Sequence, residues 1–412
     1  MRIDLVSEHA SPLAAIGGVD SGGQNVHVAD LAQALARRGH QVTVHTRRDD
    51  PDLPDRVSAA PGVTVEHVPA GPPVPLPKDE LLVHMPEFGA HLARRWASRP
   101  PRVVHAHFWM SGLAARDGLR GTDVPLVQTF HALGSVKRRH QGAADTSPPS
   151  RVALERELAR EVALVVATCS DEITELAAMG VPGERVAVVP CGVDLDWFSP
   201  RGPGARRDGR PRVLSLGRLV PRKGVETTIQ ALAEVPGAEL LVAGGDATTE
   251  AERERLTAVA RACGVLERVR MVGQVPRPQV PGLLRSADVV VTVPWYEPFG
   301  MVPLEAMACG VPLIASAVGG HLDTVVDGRT GVLVPPRDPD TLARRLRELL
   351  EDPERRAALG AAAAERARSR YGWDRIARDT ELLYLRVLAA GVRRARQPAA
   401  EAGGVAGTRV SR

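Results

Sequence analysis

The chain has 412 residues, of which 44% are hydrophobic, 25% charged and only 3% aromatic. At roughly 100–200 residues per domain this makes two or three domains with cores of their own, which excludes a small disulfide scaffold and a disordered chain. A formal charge of +4, with acids and bases interleaved along helical stretches, argues against nucleic-acid binding. No apolar run reaches the roughly 18–20 residues of a membrane span, and the opening MRIDLVSEHASPL lacks a secretory apolar segment. A cytoplasmic location is therefore expected, with peripheral contact to a membrane surface left open. Cys169, Cys191, Cys263 and Cys309 form no CxxC pair, so buried free thiols are expected in place of a metal site. Among 53 basic residues only Lys78, Lys137 and Lys223 are lysine, which marks these three for attention.

In chain order, the apolar start IDLVS leads through a glycine-rich loop into QNVHVADLAQALARR, whose Val26, Leu31, Ala34 and Leu35 fall near helical spacing. Gly39 ends that helix and QVTVHT follows as a strand, completing a β-α-β unit. Further strands are expected at 63–68, 103–108, 125–131, 163–169 and 186–190, giving a parallel sheet covered on both faces over residues 1–198. Residues 199–212, SPRGPGARRDGRPR, lack periodic apolar positions and read as a linker. A second α/β series occupies 213–370, with strands at 213–217, 239–244, 269–273, 289–293 and 312–316. The helical stretch after residue 340 is interrupted near Pro353 and at Gly372; residues 371–390 form a last helix and 391–412 a disordered tail. The fold class is thus α/β, with two Rossmann-like, doubly wound parallel-sheet domains facing a cleft.

The sharpest motif is PWYEPFGMVPLEAMACGVPLIAS, in which a strand ends in a loop with Glu297 and a helix starting near Phe299 to Val302 carries Glu305. Amides at a helix start form an anion site, and Gly300 allows close approach. Two carboxylates would repel bound phosphates, so Glu297 and Glu305 suit a sugar and a ribose diol. GRLVPRKGVE places Arg218 and Lys223 at a strand's end, where two cations can neutralise a departing diphosphate. HASPLAAIGGVDSGGQNVHV brings His9, Gly22, Gly23, Gln24 and Asn25 to the first helix and matches neither the dinucleotide fingerprint nor the P-loop. His107 and His131 end successive strands and can orient a substrate. D-x-D triplets at 50–52, 194–196 and 338–340 carry little weight as metal motifs, and no HExxH or Cys/His cluster is present.

Together with VPCGVDLDWF, where the family usually has Asn at the position of Cys191, and DGRTGVLVPP, these motifs make the chain resemble the family-4 retaining glycosyltransferases of the GT-B fold over residues 1–390. The motifs lie nearest to sucrose-phosphate synthases and to the mycothiol-pathway transferases that glycosylate inositol phosphate. The resemblance implies a nucleotide-diphosphate sugar as donor, favouring a UDP-sugar over GDP-mannose, with no essential metal, no resident cofactor and a small-molecule or glycan acceptor. It implies that Glu305 binds the ribose and Glu297 the donor-sugar hydroxyls. Arg218, Lys223, Gly23 and the amides of Phe299, Gly300, Met301 and Val302 would hold the diphosphate, with His9 beside the donor and His131 beside the transferred sugar. Asn25, Lys78, His107 and Arg151 would face the acceptor, and the helix near Trp373 would cross back onto the first domain. Phe108 and Ala132 stand where the inositol-phosphate transferases have a tyrosine and a threonine on the acceptor phosphate. The loss of two hydroxyl donors, at roughly 1.5–3 kcal/mol each, disfavours inositol phosphate as acceptor.

Two other classes of function compete. A retaining glycoside hydrolase would need Glu297 and Glu305 roughly 5–5.5 Å apart across a sugar. A non-enzymatic sugar-binding protein would have no use for Arg218 and Lys223 beside a phosphate-binding helix. Donor sugar, base, acceptor and oligomeric state stay open.

Overall fold

The computed structural model describes residues 1–13, 22–245, 249–298 and 300–396, with 392–396 as backbone alone. The first sheet has eight strands: β1 (Arg2–Val6), β2 (Gln41–Arg47), β3 (Arg56–Ala60), β4 (Val63–Val68), β5 (Val103–His107), β6 (Leu126–Thr129), β7 (Leu164–Ala167) and β8 (Val186–Val188), in the order β3-β4-β2-β1-β5-β6-β7-β8. The second has six parallel strands: β9 (Arg212–Leu216), β10 (Glu239–Ala243), β11 (Val269–Gly273), β12 (Val289–Thr292), β13 (Leu313–Ser316) and β14 (Val332–Val334), in the order β11-β10-β9-β12-β13-β14. Every residue of β5 and β10 is buried, as short continuous apolar runs require when helices cover both faces.

The first sheet is not wholly parallel: β3 pairs antiparallel with β4 at the edge. Its sequence RVSAA carries little apolar signal because the strand is mostly exposed.

Helices of the first half are α1 (Gly23–Arg37), α2 (Met85–Ser98), α3 (Trp109–Gly118), α4 (Gly134–Gln141), α5 (Arg151–Glu161) and α6 (Asp171–Ala178). Those of the second are α7 (Val225–Leu232), α8 (Glu250–Ala262), α9 (Val280–Arg285), α10 (Met301–Ala308), α11 (Gly320–Thr324), α12 (Pro339–Glu351), α13 (Pro353–Arg370) and α14 (Trp373–Arg396). Val28, Leu31, Ala32 and Leu35 make the buried stripe of α1 at helical spacing. Asp338 and Asp352 cap α12 and α13 by accepting from the amides of Thr341 and Arg355, each followed by a proline whose missing N–H costs nothing at a helix start.

Helix α14 lies on the first half of the chain. Arg38 and His40 bind Glu381, Arg37 binds Asp374, and the Tyr384 hydroxyl lies 2.7 Å from His105 Nδ1. Burial of Ile376, Tyr384 and Val387 there contributes roughly 1.5–3 kcal/mol per side chain. The helix runs on to Arg396, beyond the expected start of a disordered tail at 391, because LAAGVRRAR continues its helix-forming composition. Residues 397–412 lie outside the described residues.

The stretch 199–212 is tied to the second half: the Ala205 amide donates to Gly282 O, and Arg207 pairs with Asp288. Its last residue, Arg212, opens β9 and is buried on Glu239 and Ser286, so the strand starts one residue earlier than expected.

Strand order reverses between β1 and β5 in one sheet and between β9 and β12 in the other. Open α/β sheets bind ligands beyond the carboxyl ends of the strands at such points. His107 ends β5, and His9, Arg218 and Glu297 follow the ends of the other three strands.

Candidate active site

The second half supplies a wall of paired charges. Lys223 follows β9 and bonds Glu297, which follows β12. Gly224, at φ +72°, turns the chain from Lys223 into α7, and a Cβ there would stand 2.0 Å from Val293 O. The Glu297 carbonyl accepts from the Gly320 amide, which ties the carboxylate loop to α11. Burial alone would push the Glu297 carboxyl up, but Lys223 and Arg222 outweigh it and hold the group at about 2. The site thus contains a carboxylate that stays ionised. Glu305, buried on the first turns of α10, bonds Arg277, whose guanidinium also lies 4.6 Å over the Phe198 ring. A cavity of about 240 Å³ between the two halves opens beside Arg277, lined also by Asp30, Asp194 and Trp197.

Helix α10 begins at Met301, after Gly300 in the left-handed conformation at φ +71°. The start falls within the expected span from Phe299 to Val302, and Phe299 itself lies outside the described residues. The amides of Met301 and Val302 belong to the first turn, where no intrahelical acceptor exists for them. Across the cleft stands Gly23, the first residue of α1, where a Cβ would lie 3.0 Å from Met301 Sδ. The starts of α1 and α10 therefore converge on one place, and both favour an anion. Arg218 is exposed at the end of β9.

The first half supplies a wall of rings. Phe108 and His131, just past the ends of β5 and β6, have φ of +83° and +63°, which costs a side-chain-bearing residue of order 1–3 kcal/mol. Lys78 Nζ lies 5.6 Å and the Arg151 guanidinium 5.1 Å from the Phe108 ring centroid, and His9 meets the ring edge-on at 4.8 Å. Arg151 is fixed by Glu155, Ser147 Oγ and Ala132 O. His9, bonded to Glu8, thus stands with the Phe108 group and not among the donor-wall side chains.

Two expected acceptor contacts are engaged with partners inside the first half. The Asn25 amide is engaged with loop backbone, accepting from Gly22 N and donating to Ser11 O, and the side chain is buried. His107 is 0% exposed, with Nδ1 2.9 Å from His131 Nε2, so it meets another histidine and not the cleft surface.

Several neighbouring side chains escaped the sequence reading, Arg277 and His321 among them. His321 Nδ1–H donates to Ser316 O, and its ring stands 3.2 Å from where a Gly300 Cβ would be. The cleft is also bridged where the Ser170 hydroxyl donates to Asp323, Thr168 donates to Pro298 O, and His140 stacks on Tyr296 at 5.3 Å. A groove of about 270 Å³ lined by Arg2, Arg56, Arg95 and Arg99 lies at the starts of β1, β2 and β4, the wrong end of the sheet for this site. Glu297 and Glu305 each hold a cation of their own, Lys223 and Arg277, so neither carboxyl stands free for hydrolytic chemistry as the hydrolase reading requires.

Comparisons with known proteins agree with this arrangement. Glycosyltransferase Family 4 matches residues 21–197 and Glycosyl transferases group 1 matches residues 201–366. The chain is 39% identical over 394 residues to a D-inositol 3-phosphate glycosyltransferase of Xylanimonas cellulosilytica, covering 91% of this chain and 94% of that one. It is 37% identical over 416 residues to the protein of the same description from Kineococcus radiotolerans, covering 94% and 95%. Sucrose-phosphate synthase from Thermosynechococcus elongatus superposes with a TM-score of 0.87 at 33% identity, over 94% of this chain and 99% of that one. Anabaena HepE in complex with UDP and glucose superposes at 0.72 with 20% identity, over 93% and 99%, a likeness of fold alone. Two Rossmann-like sheets, a charge-paired wall facing a histidine wall, and relatives matched over nine-tenths of the chain make this protein an enzyme of the group 1, family 4 glycosyltransferases, with the GT-B fold.

Proposed function

We propose that this glycosyltransferase moves a hexosyl group from a UDP-sugar to a hydroxyl of a small anionic acceptor, with retention of configuration. The observation that carries the reading is the Lys223–Glu297 pair standing beside the start of α10, where Gly23 approaches Met301. It sets a cation and helix amides beside an ionised carboxylate. The diphosphate takes the cations and amides; the sugar hydroxyls take the carboxylate. Glu305 accepts from the ribose diol in place of Arg277, and the nucleoside occupies the cavity beside Arg277. His131 lies against the transferred sugar.

As the sugar–phosphate bond lengthens, negative charge grows on the diphosphate oxygen. Lys223, Arg218 and the amides of Met301 and Val302 stabilise it more than they do the ground state, which lowers the barrier. In this reading the leaving oxygen takes the proton of the incoming hydroxyl on the same face of the sugar, and charge neutralisation needs neither a metal nor a resident cofactor. The acceptor enters over Phe108, where Lys78 and Arg151 favour an anionic group. A cytoplasmic location fits a reaction fed by nucleotide sugars. Among the described residues no helix is long and apolar enough to cross a membrane.

The test is release of free nucleoside diphosphate from a panel of UDP-, GDP- and ADP-sugars, each with phosphorylated and unphosphorylated polyols. Acceptor-dependent UDP release is expected; release from GDP-mannose alone would overturn the base, and release only with neutral acceptors would overturn the acceptor class. The relatives named for inositol 3-phosphate favour a second reading in which that compound is the acceptor, so it belongs in the panel.

A further inference from the structure

The strands at one side of the first sheet alternate where those at its centre do not. In β1, β2 and β4 the residues Ile3, Leu5, Val42, Val44, Val63 and Val65 face one side and are buried in the core. Their neighbours on the other face are polar. A parallel strand covered on both faces reads as a continuous apolar run, so alternation marks a face left without a full helical cover. Strand pairing aligns the polar side chains: Asp4 stands opposite Thr43, Thr43 opposite Thr64, and Thr64 opposite Ser58, one row across β1, β2, β4 and β3. Arg2 stands opposite Gln41, two residues nearer the strand starts. Helix α2 flanks this face through Trp96, which donates to Asp4 Oδ2, and stops at Ser98. The uncovered face is the floor of the groove of about 270 Å³ that Arg2, Arg56, Arg95 and Arg99 line.

The groove holds more positive charge than its acids use. Arg56 and Arg95 share Glu66, at 3.4 and 3.1 Å. Asp4 meets His45 Nε2 at 2.8 Å and Trp96 Nε1–H at 2.7 Å, both on Oδ2, which leaves Oδ1 to accept from a ligand. Among the described residues, the guanidiniums of Arg2 and Arg99 have neither hydrogen bond nor ion pair, and the side chains of Gln41, Thr43, Ser58 and Thr64 have no hydrogen bond. The Arg102 amide donates to Arg2 O at 3.0 Å, which brings the chain after α2, and Arg99 with it, to the end of the groove where Arg2 stands.

Each of these groups restricts the ligand. Two guanidiniums suit the oxygens of one phosphate. A row of hydroxyls ending in a carboxylate oxygen suits a polyol, because a carboxylate accepts from hydroxyls and repels a second phosphate. The volume lies just below the roughly 300–1,000 Å³ of drug-sized pockets and so fits one monosaccharide-sized molecule better than a nucleotide.

We propose that this groove is a second ligand site, for a phosphate monoester of a sugar or similar polyol. Arg2 and Arg99 grip the phosphate; Asp4, Thr43, Thr64 and Ser58 take the hydroxyls. The five residues of β1 separate it from the cleft by roughly 17 Å, so both sites can be filled at once.

Equilibrium dialysis of the full chain at saturating UDP, with labelled glucose 6-phosphate as probe, tests the proposal. The expected site survives Lys78→Ala and is weakened at least tenfold in the double variant Arg2→Gln, Arg99→Gln, with UDP affinity within about twofold of the parent. Inorganic phosphate should bind it at least tenfold more weakly than the ester, and glucose at equal concentration should not compete. Ser58→Glu sets a carboxylate in the groove from an exposed position of an edge strand; it should abolish the site, and it decides the matter if the arginine variant does not fold. Equal binding of glucose 6-phosphate by the parent and the folded variants overturns the proposal. So does inorganic phosphate bound as tightly as the ester, which would leave an unspecific anion patch. Loss of all ester binding in Lys78→Ala would place the probe on the acceptor side of the cleft and overturn it equally.

Discussion

The two walls of the cleft solve opposite problems. The second half offers full charges, and two of its cations are already paired with carboxylates: Lys223 with Glu297, Arg277 with Glu305. The first half offers rings: buried, neutral histidines stacked behind His131, and Phe108 with Lys78 and Arg151 over it. A site for a charged nucleotide gains from pairs that exchange partners on binding, since no bare buried ion exists before the ligand arrives. A site that must aim a sugar gains from groups whose direction is fixed by packing and whose charge does not vary. The backbone follows the same division. Glycines take the positive φ values of the charged wall, at Gly224 and Gly300, whereas Phe108 and His131 take them on the ring wall at a cost their surroundings must outweigh.

Removal of charge from the paired wall should have the largest effect. Lys223→Ala is expected to lower kcat/KM roughly a hundredfold, because it deletes a contact worth about 1.5–3 kcal/mol that strengthens as the diphosphate leaves, and it strands the Glu297 carboxylate. Arg218→Ala, at an exposed position, should cost nearer tenfold. Steady-state kinetics with the preferred donor decides this. Equal losses in the two variants would mean that pairing with Glu297 adds nothing, and the contrast between the walls would fail at its strongest point.

Glu305 and Glu297 should separate next. Glu305→Ala is expected to weaken UDP binding by roughly tenfold with kcat little changed, since a ribose contact is nearly the same in ground and transition states. Glu297→Ala should lower kcat as well, because the sugar changes shape during transfer. Calorimetric titration of UDP and the split between KM and kcat measure the difference. Undiminished UDP affinity in Glu305→Ala would remove the ribose assignment.

The charged wall was the legible one, for a physical reason. Glu297, Gly300 and Glu305 lie on one strand-loop-helix segment, so local sequence carries their spatial relation. The ring wall is assembled from the ends of separate strands: Phe108 and His131 are distant in sequence, and a histidine at a strand end looks the same whether it faces ligand or another histidine. That is why His107 read as an acceptor contact. The loop contacts of Asn25 were hidden in the same way, because a polar residue beside a glycine pair gives no sign that its amide is turned onto the loop's own backbone. Arg277 is one arginine among many, and only folding brings it to Glu305. The sheets were legible wherever strands are buried on both faces, and obscure at the edge, where β3 is exposed and β14 is three residues long. Arg212 was hidden by its neighbours, since the glycine, proline and arginine before it read as linker.

Acid should erase the pairing with a smaller effect, read as stability. The folded carboxyl of Glu297 sits at about 2, below its usual 4.5. A depressed acid contributes stability that is fully present above its unfolded value and is lost as pH falls through its folded one. The parent should therefore exceed Glu297→Gln in Tm by a few degrees at pH 6, and the gap should close between about pH 4.5 and 2. Thermal unfolding at stepped pH measures it. A gap independent of pH would show that packing, not the ion pair, separates the two proteins.

The smallest effect is expected at the acceptor side of the ring wall. Lys78 lies over the Phe108 ring and is half-buried, and the donor contacts belong to the other half of the chain. Lys78→Ala should raise acceptor KM roughly threefold to tenfold and leave UDP affinity unchanged, as the loss of one partly solvated cation from an anionic acceptor predicts. Adding hydroxyls tests the same pocket in the opposite direction. Phe108→Tyr and Ala132→Thr together should improve use of a phosphorylated acceptor, because each new hydroxyl can donate to phosphate, and because Arg151 binds the carbonyl of residue 132 and so is undisturbed by the longer side chain. Acceptor kinetics of the single and double variants, with a neutral polyol as control, give the comparison. If Lys78→Ala weakens UDP binding while acceptor KM stays fixed, the group around Phe108 serves the donor, and the assignment of the two walls to two substrates is reversed.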